Sequence, residues 1–218
     1  MGINIAIDGP AGAGKSTIAK LIAKKLNYIY VDTGAMYRAI AYYTLSKNMA
    51  ADDEKAIGDC IENIQVTIKY LDGEQHVYVG DEDVTPFLRQ EATGNRASAV
   101  AKLGVVRTKL VALQREIATK ENVVMDGRDI GTTVLPNAGI KIYLTASSAV
   151  RAKRRYDELI AKGGEADLDQ IEKDIIDRDN ADMSREISPL KQAEDAVLID
   201  SSYMTIDEVV DKVVALTC

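Results

Sequence analysis

The stretch GPAGAGKS, Gly9 to Ser16, matches the pattern G-x-x-x-x-G-K-[ST]. Glycine admits backbone angles closed to other residues, so a loop holding Gly9, Gly12 and Gly14 can turn successive N–H groups inward around a polyphosphate. Ala13 and Thr17 belong to the same phosphate-holding run. Lys15 carries a cation toward the β- and γ-phosphates, and Ser16 offers a hydroxyl to Mg²⁺. The expected ligand is a nucleoside triphosphate such as ATP, with Mg²⁺ bound through it. The competing interpretation is a glycine turn between two ordinary elements.

Other polar groups are spaced to meet a second anion. Thr33, Tyr37 and Arg38 stand in DTGAMYR, and Arg128 and Asp129 in DGRDIG. The planar fork of an arginine matches phosphate oxygens two at a time. Taken singly, Arg38 reads as a solvated side chain; two arginines at the same sheet edge as a triphosphate loop suit a second phosphorylated molecule. RAKRR puts Arg151, Arg154 and Arg155 on one helical face, which is either a solvated cationic patch or a mobile lid closing over the γ-phosphate. In RDNADMSR, Arg178, Asp182 and Arg185 fall at i, i+4 and i+7, a stripe that is either a surface ion pair or part of the site.

These residues need elements to position them. Ile3, Ile5 and Ile7 alternate as a strand before the glycine loop, and Ile18, Leu21, Ile22 and Leu26 repeat with helical period after it. That strand, loop, helix order is the one the motif requires, and the helix N-terminus adds partial positive charge. A strand over Tyr28 to Val31 ends at Asp32, and a helix runs from Met36 to about Leu45. ADDEKAIGDCIENI suggests a helix. VTIKY and HVYVG flank the turn signal Asp72-Gly73 and predict a hairpin, so that residues 45–96 read as an insertion into the core. A helix around Gly104 to Thr119 precedes the buried strand Val123 to Met125, ending at Asp126. Further strands are expected at Ile140 to Ala146 and Ala196 to Asp200, and helices over SSAVRAKRRYDELIAKGG and about Asp167 to Ser184. The last helix begins at Thr205, with Glu208 completing a capping box. Gly163 and Gly164 suit either a hinge or a helix stop. Strands alternating with helices predict an α/β fold, a three-layer parallel sheet with helices on both faces. Ligands gather at the C-terminal strand ends of such sheets, here Asp8, Asp32, Asp126 and Ala146.

Composition narrows the function classes. The chain has 218 residues, 46% hydrophobic and 28% charged, with a net charge of −7. That balance predicts a soluble globular protein with no bulk attraction for nucleic acid or an anionic membrane. No apolar run approaches membrane-spanning length and the N-terminus does not resemble a secretion signal, so the expected location is cytoplasmic. Cys60 and Cys218 have no metal-ligand spacing and are expected as free thiols. With His76 the only histidine, a Ser-His-Asp triad or a His-rich metal site is not expected.

Taken together, GPAGAGKST, DTGAMYRA, NRASAVA, VVMDGRDIGT, the Arg-rich helix and RDNADMSR before SPL resemble the bacterial cytidylate (CMP) kinase family of the nucleoside monophosphate kinase superfamily, over essentially the whole chain. The resemblance implies a P-loop kinase core of residues 1–44, 97–150 and 186–218, a monophosphate-binding insert of residues 45–96 and a lid of residues 151–185. It implies transfer of the γ-phosphate of ATP to CMP or dCMP, in pyrimidine nucleotide metabolism. A monomer is expected, and the net charge predicts that it binds neither nucleic acid nor membrane. Thr33, Ser98, Arg107 and Asp129 match residues that face the cytosine. Arg38, Arg128 and Arg185 match those that hold the acceptor phosphate, and Arg178 and Asp182 those at the sugar hydroxyls. Tyr37 joins the CMP side, and Lys15, Arg128, Arg151, Arg154 and Arg155 would carry catalysis. Some members have Ser at the position of Thr33 and Gly at that of Ser16. Other readings are a P-loop kinase for another acceptor, such as UMP, AMP or a phosphorylated metabolite, and a nucleotide-dependent switch. The chain shows neither N-K-x-D nor D-x-x-G, which switch GTPases usually carry. A monophosphate has a second pKa near 6, so its attacking oxygen is mostly ionised at neutral pH and no general base is needed.

Overall fold

A computed structural model describes residues 3–71 and 73–217; Asp72 of the expected turn and Cys218 lie outside the described residues. In chain order the elements are β1 (Ile5–Asp8), α1 (Lys15–Leu26), β2 (Ile29–Asp32), α2 (Thr33–Ser46), α3 (Glu54–Ile61), β3 (Val66–Leu71), β4 (Glu74–Val79) and β5 (Glu82–Asp83). They continue with α4 (Glu91–Val100), α5 (Gly104–Lys120), β6 (Val123–Gly127), β7 (Ile140–Thr145), α6 (Ser148–Ala161), α7 (Leu168–Met183), β8 (Val197–Asp200) and α8 (Ile206–Val214). The chain divides into two compact units, residues 31–120 and the segments before and after them.

The outer segments carry the expected parallel sheet, flanked by helices. Its strand order is β2-β6-β1-β7-β8, with β1 parallel to β6 and β7, and β7 parallel to β8. Every residue of β1 and β6 is buried, so both faces of these central strands are covered. On one side Ile5, Ile7, Val124, Ile142 and Leu144 pack with Ile18 and Ile22 of α1 and with Val209 and Val213 of α8. Fully burying a side chain of this size stabilises by about 1.5–3 kcal/mol, which fixes the register of β1 and hence where its end, Asp8, points.

Local chemistry sets the helix boundaries. Asn27, at φ 55°, closes α1 in the left-handed conformation. Gly163, at φ 77°, closes α6, and the Gly164 N–H donates to Leu159 O at 3.1 Å, so the glycine pair forms the helix terminus. Asp167 caps α7 by accepting the Gln170 N–H, and α8 has the expected capping box of Thr205 and Glu208.

Within residues 31–120, β3 and β4 form the expected antiparallel hairpin, with Leu71 opposite Glu74 and Gly73 at φ 81°. β5 adds a short third strand. α2 starts at Thr33, earlier than the expected Met36, because the Asp32 carboxylate accepts the Ala35 N–H at 2.8 Å and caps it. α4 is an element the sequence pattern did not suggest. Its buried residues are Thr93, Ala97 and Val100, too small and too mixed in polarity to show as an apolar stripe.

Candidate active site

The glycine loop joins β1 to α1. Gly9 is required there because a Cβ at that position would lie 1.9 Å from the Leu144 carbonyl oxygen of the neighbouring strand. Gly12 at φ 75° and Gly14 at φ 85° supply the left-handed turns. Lys15 opens α1, is 6% exposed, and donates from Nζ to Pro10 O at 2.7 Å. Burial pushes its pKa down to about 7, the Arg128 cation adds to that, and the Asp126, Asp8 and Asp182 carboxylates oppose it. The Ser16 hydroxyl donates to Asp126 Oδ2 at 3.0 Å, and the Tyr30 hydroxyl donates to Asp126 Oδ1 at 2.9 Å. A hydroxyl beside a strand-end carboxylate offers the hard oxygen donors that suit Mg²⁺ carried on substrate phosphates. Among the described residues no group of three or more His, Cys, Asp or Glu side chains could hold a metal by itself.

Beside the loop lies a partly buried network of opposite charges centred on the buried Asp182. Arg128, just after β6, donates from Nε to Asp182 Oδ2 at 2.7 Å, and Arg185 pairs with Asp182 Oδ1. Burial alone would raise the Asp182 carboxyl, but the Arg128 and Arg185 cations together outweigh it and hold the pKa below the ordinary value. Arg178, exposed on α7, adds to that field. The stripe of Arg178, Asp182 and Arg185 is thus tied into the sheet edge through Arg128. Asp129 is 5% exposed, and its carbonyl accepts the Thr133 N–H at 2.8 Å in the turn that follows. Asp8 accepts the Ile130 and Gly131 N–H groups at 2.8 and 2.7 Å. Its pKa nevertheless rises to about 6, chiefly by burial and further by the Asp129 charge, against the lowering by those N–H groups and Lys15.

The Arg-rich helix α6 divides its arginines. Arg151 is buried, donating from Nε to Ala146 O and from Nη1 to Ala11 O, each at 2.9 Å, while pairing with Asp179 at 2.7 Å. Arg154 donates to Ser201 O at 2.7 Å, and Arg155 pairs with Glu158 at the exposed surface. The structure therefore brings Lys15, Arg128, Asp129, Arg151, Asp182 and Arg185 to one loop-bearing sheet edge, and gives Arg154 and Arg155 other partners.

The remaining expected residues belong to the unit of residues 31–120. Thr33 is buried at the start of α2, and Arg38 Nη1 lies 3.7 Å from Asp32 Oδ2. Arg107, 4% exposed on α5, places its guanidinium 5.7 Å from the centre of the Tyr37 ring, a cation–π contact, and Ser98 is half-buried on α4. Gln75 of β4 accepts the Asp32 N–H at 2.9 Å and donates to Asp32 O at 3.3 Å, clamping the start of α2 from the hairpin.

Sequence reasoning marked Asp8 and Asp126 only as strand ends, and did not select Tyr30, Gln75 or Asp179. Asp126 carried a signal in the apolar run Val123 to Met125 that delivers it to the sheet edge. Gln75 and Asp179 carried none, since their contacts lie 43 and 168 residues away in the chain.

A family model described as Cytidylate kinase matches residues 5–217. A protein named cytidylate kinase from Geobacillus sp. (strain WCH70) is 52% identical over 214 residues, covering 98% of this chain and 96% of that protein. Another of that name, from Listeria monocytogenes serovar 1/2a (strain EGD-e), is 51% identical over 215 residues, covering 98% and 95%. Among solved structures, an uncharacterised protein from Eubacterium ventriosum matches with a TM-score of 0.56 at 14% identity, covering 98% of this chain and 96% of that one, a likeness of fold alone.

Proposed function

The chain belongs to the cytidylate kinase family, and from that premise we propose that it transfers the γ-phosphate of ATP to CMP and dCMP, yielding ADP with CDP or dCDP. The observation that most supports this reading is the pairing at one sheet edge of a phosphate loop with arginines gathered around the buried Asp182. Lys15 and the Ser16–Asp126 pair stand on the loop side, and Arg128, Asp182 and Arg185 beside them. Two phosphorylated substrates carry like charges, and such cations let both be held in line.

In this reading Gly9, Gly12, Ala13, Gly14, Lys15, Ser16 and Thr17 hold the ATP phosphates. Ser16 and Asp126 would hold Mg²⁺, which when bound with ATP neutralises charge on the donor phosphates. Arg38, Arg128 and Arg185 take the acceptor phosphate, and Arg178 and Asp182 take the sugar hydroxyls. Thr33, Tyr37, Ser98, Arg107 and Asp129 serve the cytosine side. Residues 45–96 are the monophosphate-binding insert and 151–185 the lid, whose arginines meet transition-state charge. The acceptor oxygen is already ionised at neutral pH, so the residues orient and neutralise rather than remove a proton. We further assign a monomer acting in the cytoplasm without nucleic acid; the net charge of −7 supports the last of these, since it gives no bulk attraction for a polyanion. None of the described helices is long and apolar enough to cross a membrane.

The test is transfer of label from [γ-³²P]ATP in the presence of CMP and Mg²⁺. Label in the β-phosphate of CDP is expected; label released only as inorganic phosphate would overturn the reading.

A further inference from the structure

Asp179 lies within RDNADMSR but has no role in the site as expected from the sequence, yet it is buried on α7 with its carboxylate against the phosphate loop. The Ala11 N–H donates to Asp179 Oδ1 at 3.3 Å, and Asp179 Oδ2 lies 2.7 Å from Arg151 Nη1. Arg151 in turn donates to Ala11 O and to Ala146 O at the end of β7. Both backbone polar groups of Ala11 are therefore held by side chains, one from α6 and one from α7. On the other side of the loop, Lys15 Nζ takes the Pro10 carbonyl. At Gly12 an added Cβ would come within 3.4 Å of Arg151 Cβ, so the arginine stem also packs against the loop.

We propose that Asp179 is a positioning residue for the phosphate loop: acting through Arg151 and the Ala11 N–H, it fixes the loop in the shape that receives the triphosphate. This rests on the reading of the loop as the ATP site. A loop of Gly and Ala has few side chains to define its own shape, and a loop already set in its bound conformation loses less entropy when the ligand arrives. The sign of the effect separates this role from simple electrostatics. A carboxylate near a triphosphate repels it, so if charge were all that Asp179 contributed, removing that charge would tighten ATP binding. If it holds the loop, removal weakens ATP binding.

The experiment compares D179N, R151A and the double variant with the unaltered full chain. It uses calorimetric titration of ATP with Mg²⁺, steady-state kinetics in both substrates, and thermal melting. For D179N, the Kd and KM for ATP are expected to rise about tenfold, the equivalent of about 1.4 kcal/mol, with the KM for CMP changing by less than about twofold. In the R151A background the same substitution is expected to change ATP affinity by less than about twofold, because the two side chains act together. Tighter ATP binding, an equal loss for both substrates, additive losses in the double variant, or a lower melting temperature with ATP affinity unchanged would each overturn the proposal. Should D179N be unfolded at the assay temperature, D179E, which keeps a carboxylate for Arg151, is read in its place. ATP affinity within about threefold of the unaltered chain supports the role, and a loss beyond about tenfold contradicts it. Calorimetry reads ATP without an acceptor, so a chain that binds ATP but does not phosphorylate CMP would overturn the acceptor reading and leave this test standing.

Discussion

Lys15 is held where its charge is least comfortable. Burial and Arg128 push its pKa down to about 7 from an ordinary 10.5, so the folded chain binds its proton less tightly than the unfolded chain does. The stability associated with Lys15 is present above the ordinary pKa and is lost as pH falls through about 7. Asp8 runs the other way. Its pKa is raised from 3.8 to about 6, so its contribution is full below the ordinary value and lost as pH rises through about 6. Replacing Lys15 with Met should therefore raise the melting temperature of the ligand-free chain at pH 7 by at least about 2 °C, with the gain shrinking by pH 10, while phosphoryl transfer is lost. Thermal melts at the two pH values and an ADP-release assay check this, and a lower melting temperature at pH 7 would contradict it. Asp129 makes a separate claim about base reading. Asp129→Ala is expected to weaken CMP use by about 1.5–3 kcal/mol and ATP binding much less. Equal losses for the two substrates, measured as kcat/KM for CMP and Kd for ATP, would assign Asp129 to the metal or the fold instead.

At the scale of elements, the start of α2 carries Thr33, Tyr37 and Arg38, and two interactions fix it. Asp32 caps the helix through the Ala35 N–H, and Gln75 of β4 grips the Asp32 backbone with both ends of its amide. Gln75→Ala should raise the KM for CMP roughly fivefold, the cost of about 1 kcal/mol of hydrogen bonding, and leave the KM for ATP unchanged. Steady-state kinetics with each substrate varied in turn measure it, and an unchanged KM for CMP would show that the clamp does not position the helix. The strands and the longer helices were legible because their periodicity is carried by Ile, Val and Leu, as in β1, α1 and β6. The helix α4 was not, because its buried stripe is made of Thr93, Ala97 and Val100. The early start of α2 was hidden by Gly34, whose poor helix propensity the Asp32 cap offsets. The Gly163–Gly164 pair was legible as a helix terminus, which the left-handed angle of Gly163 shows.

For the whole molecule, the phosphate loop was visible in local sequence because it is local chemistry, a strand, a glycine turn and a helix start within residues 5–26. The partners of that loop were not. Asp126 and Asp179 reach it across 110 and 168 residues, and only the folded sheet and the helices beside it bring them there. A chain of net charge −7 must concentrate its cations locally if it is to hold two phosphorylated substrates, and Arg128 and Arg185 gather around the buried Asp182. The central claim is that these cations serve a cytidine monophosphate. It is tested most directly by kcat/KM for ADP formation with ATP and Mg²⁺, supplying CMP, dCMP, UMP, AMP and GMP in separate reactions. We predict turnover concentrated on CMP and dCMP; equal or faster turnover with a purine monophosphate, or no acceptor-dependent ADP, would contradict the account.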